Sequence, residues 1–314
     1  MTIGKIVTSE KVKEIDKNGK FVRQHNHFTT PFGDQAGMLP VEAGRYRLLW
    51  AAVCPWAHRS IIAIKLLGLE NVISIGKASP VRTKQGWEFS LDPNGVDPVL
   101  GIRYLPEIYA KTDPDYSGRA TVPTVVDVKT GKVVNNDYFN LTYYWETVFK
   151  PFHKADAPDL YPEHLRADIE ELNQTLFHEL NNGVYKAGFA QSQQAYEDAY
   201  NLVFNRLDEL EKRLSHSRYL FGDHITDSDI RLYVTLARFD VAYYSVFNTN
   251  RNRLVDFPHL WAYSRRLYQI PAFGSTTDFQ AIKQGYYLGD HAKNPYDILP
   301  LGPDVSIWYT SNNR

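Results

Sequence analysis

The hydrophobic pattern differs between the two halves of the chain, and the first half alternates short apolar runs with turn residues. The run from Arg45 to Val53 is typical of a largely buried strand, and the run from Ile61 to Leu67, closed by Gly68, predicts a helix. The elements expected after these are a strand at 72–75, a polar Gly- and Pro-rich insertion to about residue 120, strands at 124–127 and 132–134, and a helix at about 137–148. A βαβ unit followed by two strands and a helix is the order of a thioredoxin-like domain.

The second half has helical periodicity throughout. It predicts helices at about 163–181, 192–215, 226–245 and 257–269, with a shorter one near 276–284. The third has a strong start signal, because Thr226 can cap it with Asp229 three residues on, and Ile225 and Ile230 can form a hydrophobic staple. We therefore predict an α/β plus all-α chain: an arm at 1–44, a thioredoxin-like domain at 45–150, a Pro-containing linker at 151–162 and a helical domain at 163–314.

Composition narrows the functional classes. The 314 residues are 43% hydrophobic, and the formal net charge is −1, so charge gives no reason to expect nucleic acid or an anionic membrane as a partner. No segment approaches the ~20 apolar residues of a membrane span, and Met1–Lys5 lacks the apolar core of a signal peptide. A single cysteine excludes an internal disulfide and suits a reducing compartment, so we expect a cytoplasmic protein.

That cysteine, Cys54, lies where the first predicted strand ends and the first helix begins. A helix N-terminus offers unsatisfied N–H groups and a positive dipole end, which favour the thiolate and should lower the pKa of the thiol below about 8.5. Pro55 suits the first helical turn. The alternative is a buried cysteine that acts only as a small hydrophobe. The residue three after Cys54 is Ala57, so no second thiol of a Cys-x-x-Cys pair can resolve a disulfide here.

The arm contains a second candidate cluster, Gln24-His25-Asn26-His27. Two histidines at this spacing could form half of a metal site, but no nearby cysteine or carboxylate completes it. We therefore expect no metal.

Several motifs in both halves, in matching order, resemble the glutathionyl-hydroquinone reductases, the Xi class of the glutathione transferases. The resemblance extends from about Gly44 to Pro303. The matching runs are Cys54-Pro55-Trp56-Ala57-His58-Arg59, residues 182–190, Asp229-Ile230-Arg231-Leu232, Arg238-Phe239-Asp240, residues 257–261, Ile282-Lys283 with Tyr286-Tyr287, and the tail from Asn294 to Pro303.

This resemblance implies a reductive deglutathionylation with glutathione as co-substrate and an aromatic or quinone conjugate as the other partner. The Cys54 thiolate would attack the sulfur of a glutathione thioether, the reduced hydroquinone would leave, and a second thiol would resolve the mixed disulfide. Because attack at sulfur puts negative charge on the ring carbon, that carbon must be protonated, and phenolic O–H groups can serve there. The implied tyrosines are Tyr185, Tyr243 and one of Tyr286 or Tyr287.

The resemblance also implies the thiol-binding residues and a homodimer. Val122-Pro123 matches the cis-proline site, where a backbone pairs with the thiol peptide like an added strand. Trp87 matches a tryptophan beside bound glutathione, with a surface-loop aromatic as the alternative. We expect His58 and Arg59 to support the cysteine loop rather than to react.

The chain departs from the family at the thiol-recognition end. An acidic residue and then serine normally begin the helix after the second strand pair, whereas this chain has Asp137-Tyr138-Phe139-Asn140. Asp137 keeps the carboxylate, but the bulk of Tyr138 should obstruct the seat of a ligand carboxylate at that helix start. Ala281 and Gly285 also stand where the family commonly has histidines. Two alternatives therefore remain open beside glutathione chemistry: another low-molecular-weight thiol, or a non-catalytic binding member.

Overall fold

The computed structural model describes residues 13–289 and 292–310, and these divide into two compact units. Of these residues, the first unit comprises 13, 24–157, 288–289 and 292–295, and the second comprises 14–23, 158–287 and 296–310. The predicted arm thus contributes to both units. Its first twelve residues, which include Met1–Lys5, lie outside the described residues.

The first unit contains a four-stranded mixed sheet with helices. Its elements are β1 (Tyr46–Ala51), α1 (Pro55–Leu67), β2 (Ile73–Ala78), α2 (Leu105–Thr112), β3 (Thr124–Asp127), β4 (Lys132–Asn135) and α3 (Leu141–Tyr143), which continues as a π-helical turn over Tyr144–Val148. The strand order is β2-β1-β3-β4, with β1 parallel to β2 and the other pairs antiparallel. This is the predicted thioredoxin-like arrangement.

Two predictions for this unit need correction. The polar insertion contains α2, which begins after Tyr104 with Glu107 accepting from the Tyr104 N–H at 2.8 Å. The helix predicted from Asp137 begins only at Leu141, because the Asp137 side chain accepts from the backbone N–H groups of Phe139 and Asn140 and forms a turn instead.

A buried ion pair fastens the insertion to the sheet. Arg47 of β1 donates through two nitrogens to one oxygen of Asp97, at 2.9 and 2.7 Å, and both side chains are buried. The other Asp97 oxygen accepts from the N–H groups of Val99 and Leu100, so the carboxylate is fully used. A side chain at Gly76 of β2 would collide with this pair and with the β1 core, which explains a glycine in the strand.

The second unit is helical, as predicted. Its helices are α4 (Arg166–Thr175, continued as a π-helical segment Leu176–Asn181), α5 (Gly183–Gly188), α6 (Gln193–Leu214), α7 (Asp227–Arg238, continued through the π-helical segment Phe239–Tyr243 into α8, Tyr244–Val246), α9 (Pro258–Tyr268), α10 (Pro271–Gly274) and α11 (Phe279–Leu288). Short 3₁₀ turns occupy Pro93–Gly95 and Lys150–Phe152 in the first unit and Glu163–Leu165, Leu254–Asp256 and Ser306–Trp308 in the second.

The predicted cap of α7 is confirmed. The Thr226 N–H donates to an Asp229 oxygen at 2.8 Å, and the helix begins at Asp227. The sequence pattern missed the short helices α5 and α10. Among the described residues, no helix is long and apolar enough to cross a membrane.

Candidate active site

Cys54 lies in the tight connection between β1 and α1. Its N–H donates to the Ala51 carbonyl at 2.9 Å, and its own carbonyl accepts from the His58 N–H at 3.0 Å. Cys54 itself is extended, and Pro55 is the first residue of α1. The side chain is 9% exposed, and the thiol donates to the carbonyl oxygen of Val122 at 3.3 Å. The sole cysteine thus occupies the predicted helix start with its sulfur against one defined backbone carbonyl.

The peptide bond between Val122 and Pro123 is cis, as the resemblance implied. It directly precedes β3, which pairs with β1, so the sheet brings this segment beside the end of the strand that leads to Cys54. The Val122 carbonyl therefore marks the place where an extended thiol peptide is predicted to pair.

His58 and Arg59 are buried in the first turns of α1, in keeping with the expected supporting role. The His58 ring stacks on Trp50 of β1, with centroids 6.3 Å apart. Arg59 donates to the Tyr138 carbonyl at 2.8 Å, and its guanidinium lies 5.1 Å from the Trp56 ring. Arg59 thereby ties α1 to the turn that precedes α3.

That turn contains the two residues predicted to decide thiol recognition. The Asp137 carboxylate accepts from Asn26 at 3.1 Å and from the Asn140 amide at 2.7 Å, in addition to the backbone N–H groups described above. The Tyr138 ring packs against Trp56, with centroids 5.1 Å apart. Because α3 begins only at Leu141, Tyr138 is not at a helix N-terminus. Four donors from the chain itself already bond the neighbouring Asp137 carboxylate.

Trp87 lies, partly exposed, in the loop between β2 and α2. Its carbonyl accepts from the Leu105 N–H at 2.9 Å, and Glu88 pairs with Tyr104 in an antiparallel bridge. The loop backbone is thus fixed to the start of α2, while the role of the indole stays a prediction.

Three tyrosines meet within the second unit. The Tyr286 hydroxyl of α11 lies 2.5 Å from that of Tyr185 on α5 and 3.0 Å from that of Tyr243 in the segment after α7. All three side chains are buried, and Phe247 stacks on the Tyr243 ring with centroids 5.3 Å apart. Tyr287 is partly exposed, so Tyr286 is the member of that pair that joins the tyrosine cluster, which we define as Tyr185, Tyr243 and Tyr286.

Burial determines the protonation of this cluster. Burial, together with the neighbouring Tyr185 phenol, raises the pKa of Tyr243 and of Tyr286 well above its usual value, while the positive charge of buried Arg238 opposes that shift. At neutral pH Tyr243 and Tyr286 are therefore protonated phenols.

Sequence reasoning missed one residue at this cluster, Arg23 of the arm. Its Nε donates to the Asn182 side-chain oxygen at 2.9 Å, and its guanidinium lies 4.8 Å from the centre of the Tyr185 ring. Nothing in the local pattern around Arg23 indicates a partner 159 positions away.

Among the described residues, no three His, Cys, Asp or Glu side chains stand close enough to hold a metal. His27 of the arm pairs with Asp113, with Nε2 and Oδ2 3.0 Å apart.

Several known proteins are similar to this chain over most of its length. The family described as glutathione S-transferase, C-terminal domain, matches residues 193–266. The glutathionyl-hydroquinone reductase YqjG of Escherichia coli is 38% identical over 91% of this chain and 89% of its own. The glutathionyl-hydroquinone reductase PcpF of Sphingobium chlorophenolicum is 36% identical over 91% and 90%.

Two solved structures are similar over most of the chain. The Xi glutathione transferase of Phanerochaete chrysosporium superposes with a TM-score of 0.90 at 38% identity, covering 95% of this chain and 98% of that one. The glutathione-bound structure of YqjG from Escherichia coli gives 0.82 at 37% identity, covering 91% and 94%.

Proposed function

The chain belongs to the Xi-class glutathione transferases, the family of the glutathionyl-hydroquinone reductases, and we propose that it removes a thiol reductively from aromatic conjugates through Cys54. The observation that carries the proposal is the placement of the sole cysteine. Its sulfur lies at the start of α1 and against the carbonyl that precedes a cis-proline. A thiol at a helix N-terminus is favoured as thiolate, which is the nucleophilic form.

In the first step, the Cys54 thiolate attacks the sulfur of a thioether between glutathione and a hydroquinone ring. The new S–S bond joins Cys54 to glutathione, and the electron pair of the broken C–S bond goes to the ring carbon. That carbon takes a proton from the tyrosine cluster, so the hydroquinone leaves reduced and the sulfur is oxidised to the disulfide level. The raised pKa values of Tyr243 and Tyr286 mean that both phenols carry their protons at neutral pH and can supply one to this step.

In the second step, an external thiol resolves the mixed disulfide. Its thiolate attacks the glutathione sulfur, and Cys54 is released as thiolate. The proton that this thiol gives up restores the phenol. An external thiol is required because Cys54 is the only cysteine in the chain.

A single-turnover experiment tests the proposal. Enzyme mixed with excess glutathionyl-hydroquinone and no free thiol should release about one equivalent of hydroquinone and acquire one glutathione, located on Cys54 by mass spectrometry. Addition of glutathione should then restart turnover. Cys54→Ser, the matched control, should do neither, and appreciable turnover by this variant would contradict the mechanism.

A second candidate function uses the same steps with another small thiol in place of glutathione. The structure of the turn before α3 supports this alternative. The Asp137 carboxylate, expected to hold the amino end of glutathione, is already bonded to Asn26 and Asn140. Tyr138 replaces the small hydroxyl and packs on Trp56. On this reading glutathione binds weakly.

Calorimetric titration with glutathione separates the two candidates. Tyr138→Ser should tighten binding about tenfold or more, since one hydrogen bond to a charged group contributes roughly 1.5–3 kcal/mol. Tyr143→Ser is the control, because Tyr143 is an exposed tyrosine five residues away on α3. If the unmodified protein already binds as tightly as Tyr138→Ser, the glutathione reading stands. If neither binds, mass spectrometry of Cys54 after incubation with other small disulfides would identify the thiol.

A further inference from the structure

The arm segment Glu14–Arg23 is built into the helical unit. Ile15 and Phe21 pair in an antiparallel bridge that closes a turn, and the Gly19 carbonyl of this turn accepts from the Gln191 N–H at 2.9 Å. A Cβ at Gly19 would lie 2.8 Å from the Gln191 backbone, so the approach is close. The segment is therefore docked along its length and ends at Arg23 in a fixed place.

The Arg23 guanidinium is oriented by two kinds of contact. Its Nε donates to the side chain of Asn182, which directly precedes α5. Its Cζ lies 4.8 Å from the centroid of the Tyr185 ring and 5.2 Å from that of the Phe21 ring. The hydrogen bond at Nε orients the guanidinium plane, and the contacts with the two rings set its distance from them. The cation is thus held over the face of one cluster phenol.

A cation in this position has a directional electrostatic effect. It is attracted to the ring face, and the attraction grows when the ring carries negative charge. Arg23 lies over the Tyr185 ring, and Arg238 is a second cation near the cluster, whose charge lowers the pKa of Tyr243 and of Tyr286 against the larger effect of burial. The positive charges of Arg23 and Arg238 therefore lower the free-energy cost of forming one phenolate among these buried rings.

We infer that Arg23 is a positioning residue for the reaction, orienting Tyr185 and stabilising the negative charge left on the cluster after it protonates the departing ring. The inference rests on the proposed function, because it assigns a role within the protonation step. In that step the phenol loses its proton to the ring carbon, and the phenolate persists until the second thiol supplies a proton. Arg23 acts on this interval and has no part in the chemistry at Cys54.

The first test compares two reactions of the same enzyme. Arg23→Gln should lower kcat for the aryl thioether about threefold to thirtyfold, the range that cation–π contacts span, and change KM little. Reduction of a small aliphatic disulfide with glutathione needs Cys54 but no ring protonation, so its rate should be unchanged. Arg251→Gln is the matched control, because Arg251 lies over Phe204 at 4.5 Å and should affect neither reaction. Equal loss in both reactions would overturn the inference in favour of general damage.

The second test is a double-mutant cycle with Tyr185→Phe. Arg23→Gln should cost nothing further in that background, and Arg23→Lys, which keeps the charge but not the Nε bond, should restore part of kcat. An undiminished effect of Arg23→Gln in the Tyr185→Phe protein would show that Arg23 only anchors the arm. Lys20→Ala removes an arm contact to Asp198, 3.2 Å long, without touching the ring, and should leave kcat near that of the unmodified enzyme.

Ultraviolet difference titration of the tyrosines needs no substrate and so separates this inference from the proposed function. Arg23→Gln should move ionisation of one phenol to higher pH, and the difference should vanish in the Tyr185→Phe background. No shift would overturn the inference even if the enzyme is active. A shift in a protein without turnover on aryl conjugates would support the contact and remove the proposed function.

Discussion

At the scale of single residues, Tyr286 and Tyr287 show how one position on a helix separates two side chains of the same type. Both lie on α11, but the Tyr286 side chain is buried with its hydroxyl against those of Tyr185 and Tyr243, whereas Tyr287 is partly exposed. Neighbouring positions on a helix point about 100° apart, so an adjacent pair cannot share one partner set. The sequence alone could not choose between them, because the choice depends on where α5 and α7 pack.

This pair provides a matched test of the cluster. Tyr286→Phe should lower kcat for the aryl thioether by roughly a hundredfold, since a positioned general acid contributes about that much or more. Tyr287→Phe should change it little. Steady-state kinetics of both variants, with circular dichroism to confirm folding, measure this. A comparable loss in both variants would remove the special role of the Tyr286 hydroxyl.

Cys54 can be tested by its reactivity alone. Because the thiol lies at the start of α1, alkylation by iodoacetamide should reach half its maximal rate at a pH clearly below the ~8.5 of free cysteine. With no other cysteine in the chain, the measured rate belongs to this residue. A midpoint at or above that of free cysteine would return Cys54 to the role of an inert buried hydrophobe.

At the scale of elements, the end of α1 depends on a glycine for two separable reasons. Gly68 has a φ of +74°, and a Cβ there would lie 2.8 Å from the Lys154 side chain. Gly37 has a φ of +88° with nothing near the added atom. The two positions therefore share the backbone strain but not the crowding.

Gly68→Ala should lower the free energy of unfolding by more than Gly37→Ala does. The left-handed conformation alone costs an alanine about 1–2 kcal/mol, which applies to both positions, and the contact with Lys154 adds to it at Gly68. Urea denaturation of the two variants gives the difference. Equal losses would mean that the Lys154 side chain simply moves aside.

The sequence predicted elements well wherever one pattern was uninterrupted. Local residues were enough to predict strand β1, helix α1 with its Gly68 stop, and the start of α7 at Thr226. Helix α2 was missed because it carries only three buried residues within a polar insertion, and the start of α3 was displaced by the Asp137 side chain.

The candidate site, like the elements, could be predicted only where local residues indicate it. Cys54 stands out by position, whereas the cis-proline and the tyrosines came from resemblance to a family. Arg23 could not be predicted, because a contact between residues 159 positions apart leaves no periodic trace in the sequence.

At the scale of the whole molecule, buried phenols make stability sensitive to alkali. Burial raises the pKa of Tyr243, Tyr263 and Tyr286 well above the usual value of about 10, and that of Tyr233 is raised likewise. Above that pH the unfolded chain loses these protons and the folded chain keeps them. The folded state then binds more protons, so the free energy of unfolding must fall as pH rises.

The expected slope is roughly 1.4 kcal/mol per pH unit for each such tyrosine above about pH 10. Tyr233→Phe should make the slope shallower by one proton, whereas Tyr296→Phe, at a position 82% exposed, should not change it. Denaturant titrations at a series of alkaline pH values provide the measurement. The same slope in all three proteins would contradict the assignment.

The homodimer implied by the resemblance stays a prediction, which analytical ultracentrifugation can test.

The docking of Glu14–Arg23 has a consequence for the order in which the protein is made. The Ser192 hydroxyl donates to the Asn18 carbonyl, 174 positions earlier in the chain. At synthesis rates of about 5–20 residues per second, the ribosome needs roughly nine to thirty-five seconds to add that stretch. During this interval the segment has been translated but its partners have not, so it must stay accessible on the growing polypeptide. A nascent chain stalled before Asn182 should therefore be cut readily within Glu14–Arg23, while the released protein resists cleavage there. The surroundings of Tyr185 are completed late, by a segment that is translated well before its partners.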